Sequence, residues 1–294
     1  MHKLLSMLLS LSLLVIAGSA NGQSINPGRG ELPLKVPADY DASVPTPLIV
    51  LLHGYGSSGA RQDAYLGVSK LVDRYGFLFV APDGNREKSA DQSSFWNASS
   101  ACCDFYQSKA DDSTYVEAII DAVKADYNVD PARVFLIGHS NGGFLSYRVA
   151  YEHSDTIAAI ASLAGANEIA DRPAPNHPVH VLQIHGTEDG TIAYNGDVLF
   201  GNRYPSAMET VQRWASYNGC ATTGAQRELR DLEATIDGYE STVVAFKEGC
   251  KAGGSSELWT IAGGSHIPKV SDSFSAQVVE WLYAHPKLNG GFAD

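Results

Sequence analysis

The sequence predicts an α/β protein built on a doubly wound, mostly parallel sheet flanked by helices. Three observations carry this expectation. Short apolar blocks that end in turn residues alternate with segments of helical periodicity. The blocks are apolar throughout instead of alternating, as befits strands buried on both faces. And a span of about 270 residues, with 44% hydrophobic and 18% charged residues, is long and apolar enough to bury a large core as one domain.

In chain order, Lys3 precedes an apolar and small-residue run from Leu4 to Ala20, too short for a membrane span but suited to a secretory signal cleaved after Ala20 or Gly22. Residues 1–22 are therefore read as a signal peptide and 23–294 as a single domain. The first cysteine is Cys102, so the signal offers no site for a lipid anchor, and the mature chain is expected to be secreted, periplasmic or extracellular. Strands are expected in "TPLIVLLHG" (46–54), "GFLFVAPDG" (76–84), "RVFLIGHS" (133–140), "IAAIASLAG" (157–165), "HVLQIHG" (180–186) and "SELWTIAGG" (256–264). Between them, Thr114 and Glu117 form a capping-box pattern ahead of Val116, Ile119, Ile120 and Val123 at helical spacing. The segments 143–153, 206–218 and 275–285 read as helices in the same way. In such a sheet the site lies at the carboxyl ends of the strands.

The formal charge of −12, without a basic run, argues against nucleic acid as a partner, since that interaction draws on clustered Lys and Arg.

"GHSNG" (138–142) fits G-x-S-x-G with a strand before it and a helix after it, the context of a nucleophile elbow in the α/β-hydrolase fold. The turn leaves no room for side chains at Gly138 and Gly142, and the helix start offers N–H groups to a developing oxyanion. Ser140 is thus the candidate nucleophile. An elbow serine needs an acid and a base that follow it in the chain. Asp189 in "HGTEDG" is the candidate acid, with its neighbour Glu188 as the alternative, and His266 in the glycine-rich loop after the last strand is the candidate base. The remaining downstream histidines sit at helix ends or within strands and are read as structural. The oxyanion hole is assigned to the backbone N–H groups of Asn141 and of Tyr55 in "LLHGYGSSG", where His53 is read as ordering the loop. That glycine loop lacks the Lys-Ser/Thr ending of a P-loop, which argues against nucleotide.

On "LLHGYGSSG", "FVAPDG", "FWNASSACCD", "DDSTYV", "GHSNGG", "IHGTEDGTIAY" and "GGSH", the chain from about residue 30 to 285 resembles the poly(3-hydroxybutyrate) depolymerase-like secreted esterases, close to the feruloyl and acetylxylan esterases of carbohydrate esterase family 1. The resemblance implies the same Ser140, Asp189 and His266. Two departures point away from insoluble polyester: the sequence shows no linker with a separate substrate-binding domain, and it reads "SHIPKV" where relatives often carry a tryptophan after the histidine.

The function expected is a serine carboxylic-ester hydrolase working through an acyl-enzyme on feruloyl or acetyl esters of plant polysaccharide or related soluble esters, with no cofactor and no metal. The alternatives are a polyester depolymerase and a non-catalytic ligand-binding protein on a hydrolase fold. Among the aromatic residues near the expected mouth (Tyr55, Phe95, Trp96, Tyr106 and Tyr194), Trp96 and Tyr194 are singled out as substrate contacts. Four cysteines in an exported chain are expected to pair: Cys220 with Cys250 across the insertion before the last strand, and Cys102 with Cys103, for which two free buried thiols are the alternative.

Overall fold

The computed structural model describes residues 23–288 apart from positions 89 and 227, so the expected signal peptide lies outside the described residues. The strands are β1 (Ser24–Ile25), β2 (Leu32–Lys35), β3 (Thr46–Leu52), β4 (Leu78–Val80), β5 (Asn85–Arg86), β6 (Ser94–Phe95), β7 (Val129–His139), β8 (Ala159–Leu163), β9 (His180–Gly186), β10 (Asp197–Leu199), β11 (Asn202–Tyr204), β12 (Ala225–Gln226), β13 (Ser241–Phe246) and β14 (Ser255–Ile261). The α-helices are α1 (Gly59–Leu66), α2 (Val72–Tyr75), α3 (Asp112–Asp126), α4 (Asn141–Glu152), α5 (Ala207–Tyr217) and α6 (Phe274–Tyr283).

Ten strands form one sheet in the order β1-β2-β4-β3-β7-β8-β9-β14-β13-β12. The six central strands, β4 to β14 in that order, are mutually parallel, and antiparallel strands extend both edges. The chain passes from β3 to β4 on one side and then crosses to β7 on the other. The reversal leaves a crevice at the carboxyl ends of β3 and β7, where open α/β sheets place their ligands. Leu52 pairs with Gly138 at those ends, so the loops carrying Tyr55 and Ser140 emerge side by side.

The apolar strands are explained by helices on both faces. Along β3, Leu48, Val50 and Leu52 join a buried cluster that contains Ile119 and Ile120 of α3, Phe144 of α4 and Trp214 of α5. Ile49 and Leu51, pointing the other way, join Val72 of α2 with Phe274, Val278 and Leu282 of α6. Every residue of β3 is buried, and a strand enclosed twice has no polar face to display.

Two details differ from the sequence reading. Asp111, not Thr114, caps α3: its carboxylate accepts from the Thr114 N–H and hydroxyl, while Glu117 instead accepts from the hydroxyl of Thr156 in the segment after α4. A carboxylate one turn earlier simply outcompetes the threonine for the free N–H groups. The antiparallel strands at both edges, the hairpin β10–β11 and helix α1 carry weaker apolar periodicity and were not anticipated. A capping box forms instead at α5, between Ser206 and Glu209, where the sequence reading named none.

Candidate active site

The site begins with a strained backbone. Ser140 has φ 53° and ψ −120°, a conformation that a residue with a side chain adopts at a cost and that turns the chain sharply from β7 into α4. The turn closes because a Cβ on Gly138 would strike the Gly142 carbonyl and a Cβ on Gly142 would strike the Leu52 carbonyl. Only glycine fits either position, which is the physical content of the motif.

Three side chains from three separate loops meet here. Ser140 Oγ lies 3.0 Å from His266 Nε2, and His266 Nδ1 lies 2.8 Å from Asp189 Oδ2. The Asp189 carboxylate is buried while Glu188 is exposed, and only Asp189 faces the histidine. Its other oxygen accepts from the Thr191 and Ile192 N–H groups, each at 2.8 Å. Burial by itself would raise the Asp189 carboxyl; hydrogen bonds from His185 and His266 and the Ile192 N–H outweigh it and hold the group well below the usual carboxylate range. An anionic Asp189 fixes the proton of His266 on Nδ1 and leaves the Nε2 lone pair for the serine hydroxyl.

Behind the acid lies a chain of buried polar groups. His185 Nε2 is 3.3 Å from Asp189 Oδ2 and 2.8 Å from the Ile192 carbonyl. Gln183 Nε2 is 3.0 Å from His185 Nδ1, and Gln183 Oε1 accepts from the Tyr147 hydroxyl at 2.7 Å. The sequence reading assigned His185 only a structural role; its position at i−4 from Asp189 was the available clue. His139 was missed as well. Its Nε2 lies 3.0 Å from the His266 carbonyl, and burial, together with the charge of nearby His266, lowers its imidazole to about 4, so it sits there as a neutral donor.

Asn141 opens α4 beside the serine, and its side chain clasps the backbone of Trp96, accepting from the N–H at 2.7 Å and donating to the carbonyl at 2.9 Å. His53 orders the neighbouring loop, accepting from the Gly84 N–H at 2.8 Å, while its carbonyl accepts from the Trp96 indole at 3.0 Å. Tyr55 is partly exposed and borders the serine on both sides. Its hydroxyl is pushed up to about 12 by burial and by the Glu87 carboxylate beside it.

Two clefts meet at Ser140, Tyr55 and Thr191. One, of about 540 Å³, is apolar and is walled by Phe105, Tyr106, Ile192, Leu199 and Phe200, with Cys102 and Cys103 beneath. The other, of about 420 Å³, is lined by His266, His139, Gln62, Tyr65, Arg61 and Ile267. Of the two aromatics chosen from sequence as substrate contacts, neither lines these clefts. Trp96 is fully buried and spends its indole N–H on the His53 carbonyl. Tyr194 is half-buried, its hydroxyl bonded to Thr260 and its ring edge against His185. Phe95 is likewise buried. Tyr55 and Tyr106, also named from sequence near the mouth, do border the apolar cleft, and Phe105 and Phe200, whose ring centroids are 4.3 Å apart, complete its aromatic wall. Phe200 sits at the turn of the β10–β11 hairpin, and "LFGNRY" (199–204) was the signal for that turn.

Cys220 is bonded to Cys250, and Cys102 to Cys103. Among the described residues no cluster of three or more His, Cys, Asp or Glu side chains is arranged to hold a metal ion, and no helix is long and apolar enough to cross a membrane.

The phospholipase/carboxylesterase family pattern matches residues 40–239. Among curated proteins the chain is similar to feruloyl esterase C of Emericella nidulans, 30% identical over 209 residues that cover 69% of this chain and 67% of that one. It is similar also to the putative esterase NocK of Nocardia uniformis subsp. tsuyamanensis, 31% identical over 63% of this chain and 54% of that one, and to feruloyl esterase B of Piromyces equi, 27% identical over 79% and 42%. The chain thus spans about half or less of the length of these last two relatives. Among solved structures, an acetyl xylan esterase from Aspergillus awamori shares the fold, with a TM-score of 0.60 at 14% identity over 90% of this chain and 99% of that one.

Proposed function

The chain belongs to the phospholipase/carboxylesterase family, and from that premise we propose that it is a serine carboxylic-ester hydrolase that uses Ser140, His266 and Asp189. The observation that carries the reading is the hydrogen-bonded line from Ser140 Oγ through His266 to Asp189, set where two clefts meet. His266 Nε2 takes the Ser140 proton as Oγ attacks the ester carbonyl. The N–H groups of Tyr55 and Asn141, with the positive end of α4, receive the oxyanion. His266 then returns its proton to the departing alkoxide, and the acyl-serine is hydrolysed by water that the same imidazole activates.

This chemistry assigns the clefts. The leaving oxygen must come within reach of His266, so the alcohol occupies the cleft that His266 lines. The acyl group takes the apolar one. A wall of Tyr55, Phe105, Tyr106 and Phe200 favours a flat aromatic acyl group over acetyl alone. Together with the feruloyl esterases among the relatives, this supports feruloyl-type esters as substrates. We read residues 23–294 as one catalytic unit, because a single sheet runs from β1 to β14, and as exported, because disulfides persist in oxidising compartments.

The test is turnover of methyl ferulate and of a short p-nitrophenyl ester, with covalent labelling by a fluorophosphonate located by peptide mapping. Turnover with label on Ser140 is expected. Absence of both would leave a ligand-binding protein on a hydrolase fold.

A further inference from the structure

We propose that the acyl site is open-ended, and that a second, polar cleft beyond Phe105 and Phe200 receives a neutral, hydroxyl-rich unit attached to the far end of the acyl group. The proposal rests on the reading of Ser140 as nucleophile and of the apolar cleft as the acyl side. The widest of the clefts described, about 720 Å³, does not touch Ser140; it shares Cys102, Phe105 and Phe200 with the apolar cleft. The rings of Phe105 and Phe200, packed against each other at a tilt, are therefore a wall common to both spaces. An aromatic acyl group attached to Ser140 would point its distal substituent past that pair.

The lining of the second cleft defines what would be welcome there. Asn97, Asp104, Gln107, Lys109, Arg148 and Asn202 bring both donors and acceptors. Its formal charges balance, with Asp104 and Asp111 against Lys109 and Arg148, and much of this charge is already engaged. Arg148 bonds the Asn97 carbonyl at 2.8 Å, Asp111 at 3.4 Å and Glu152 at 3.0 Å, while Asp104 accepts from the N–H groups of Ser108 and Lys109. A charged ligand would have to displace these partners; a neutral polyol or glycoside would not. The walls are also fixed in advance. Asn97 is held through its N–H by the buried Asp112 carboxylate at 2.7 Å and through its side chain by the Ala110 carbonyl at 2.8 Å, and Ser100 is bonded twice to Glu168. Three lining residues, Gln107, Lys109 and Phe200, hold positive φ without being glycine, a cost that structures tend to carry at working surfaces. A polar cleft prepared in this way loses little entropy on binding.

The experiment compares methyl ferulate with its 4-O-glucosyl derivative and with a 4-O-butyl derivative of similar reach. In the parent enzyme the glucosyl ester is expected to be turned over with the higher kcat/KM of the two extended esters. Exposed Asn202 and Gln107 are changed to tryptophan singly to fill the cleft, with folding checked by thermal unfolding. Each is expected to lower the ratio of kcat/KM for the glucosyl ester to that for methyl ferulate by about ten-fold, mainly through KM. Binding of the glucosyl ester to Ser140→Ala, followed by calorimetry, reads the cleft without catalysis. If methyl ferulate is not hydrolysed, the esterase reading fails while the calorimetry still reports on the cleft. Exclusion of the glucosyl ester by the parent, preference for the butyl ester, or ratios and binding unmoved by both tryptophans would overturn the proposal.

Discussion

His139 Nε2 lies 3.0 Å from the backbone carbonyl of His266, so the residue immediately before the proposed nucleophile holds the loop that carries the proposed base. The contact is only partly buried, and the loop 262–267 is otherwise rich in glycine, with Ala262, Ser265 and Ile267 exposed. His139→Phe keeps an aromatic ring, slightly larger, and removes the donor. We expect kcat to fall by about ten-fold or more with KM little changed, because a small displacement of the base costs rate more than ground-state binding. His139→Gln, which keeps a donor, should recover part of the loss. Equal activity in the two variants would show that the contact only fills space.

The acid is distinguished from its neighbour by orientation alone. Asp189 is buried and bonded to His266, His185 and two N–H groups, whereas Glu188 is exposed. Asp189→Asn should lower kcat by about three orders of magnitude, since an amide reverses the tautomer that the histidine needs. Glu188→Gln should leave kcat within about two-fold. Steady-state kinetics on one p-nitrophenyl ester decides between them, and the reverse pattern would move the acid by one residue.

These two cases mark how much the sequence discloses. The central strands were legible because each is sandwiched between helices, so burial on both faces is written as an uninterrupted apolar run. The elbow was legible because the turn tolerates only glycine at 138 and 142, and chain order then singled out the loops holding Asp189 and His266, which the structure brings to the serine. The hydrogen bonds of His139 and His185 were not, because a buried histidine has the same one-letter appearance whether it bonds a loop carbonyl or a carboxylate. The aromatic wall was legible only in part, at Tyr55 and Tyr106, for a similar reason. Trp96 lies in the right loop but points inward to His53, and Phe200 reaches the cleft only through a hairpin, β10–β11, whose short strands carry no strong periodicity.

Acid should destabilise the fold well before carboxylates titrate. His53, His139 and His285 are buried and His180 half-buried; burial is the leading cause that lowers each imidazole, to about 4 at His139 and about 3 at His180. In the unfolded chain the same groups titrate near 6.5. Below about pH 6.5 the unfolded state therefore binds more protons than the folded one. The stability these groups contribute is complete above that pH and is lost as pH falls toward 4 and below. A midpoint of thermal unfolding that declines steadily from pH 7 to pH 4.5 is expected, and a flat one over that range would count against it. His53→Gln, His180→Gln and His285→Gln combined should flatten the slope.

The two disulfides should affect the protein in opposite ways. Cys220 and Cys250 are 30 residues apart, and their bond ties the end of α5 to the turn after β13. Opening it frees a loop of that size in the unfolded chain, which on chain-entropy grounds costs about 3 to 4 kcal/mol. The same segments are also joined by backbone bonds, Ala221 N–H to Glu248 at 2.7 Å and Lys251 N–H to Asn218 at 2.8 Å, so the native geometry should survive in Cys220→Ser/Cys250→Ser and activity should be retained at temperatures where the variant stays folded. Cys102 and Cys103 are adjacent, enclose no loop, and so constrain almost nothing in the unfolded chain. Their position under the apolar cleft, with Asn141 Nδ2 3.5 Å from Cys102 Sγ, places their influence on the acyl group and on the segment next to Ser140. Cys102→Ser/Cys103→Ser should therefore unfold at a denaturant midpoint close to the parent's yet show a raised KM for aromatic acyl esters. If instead the 102/103 pair proves the larger contributor to stability and the 220/250 pair the larger contributor to KM, the division of labour drawn from loop length and position is wrong.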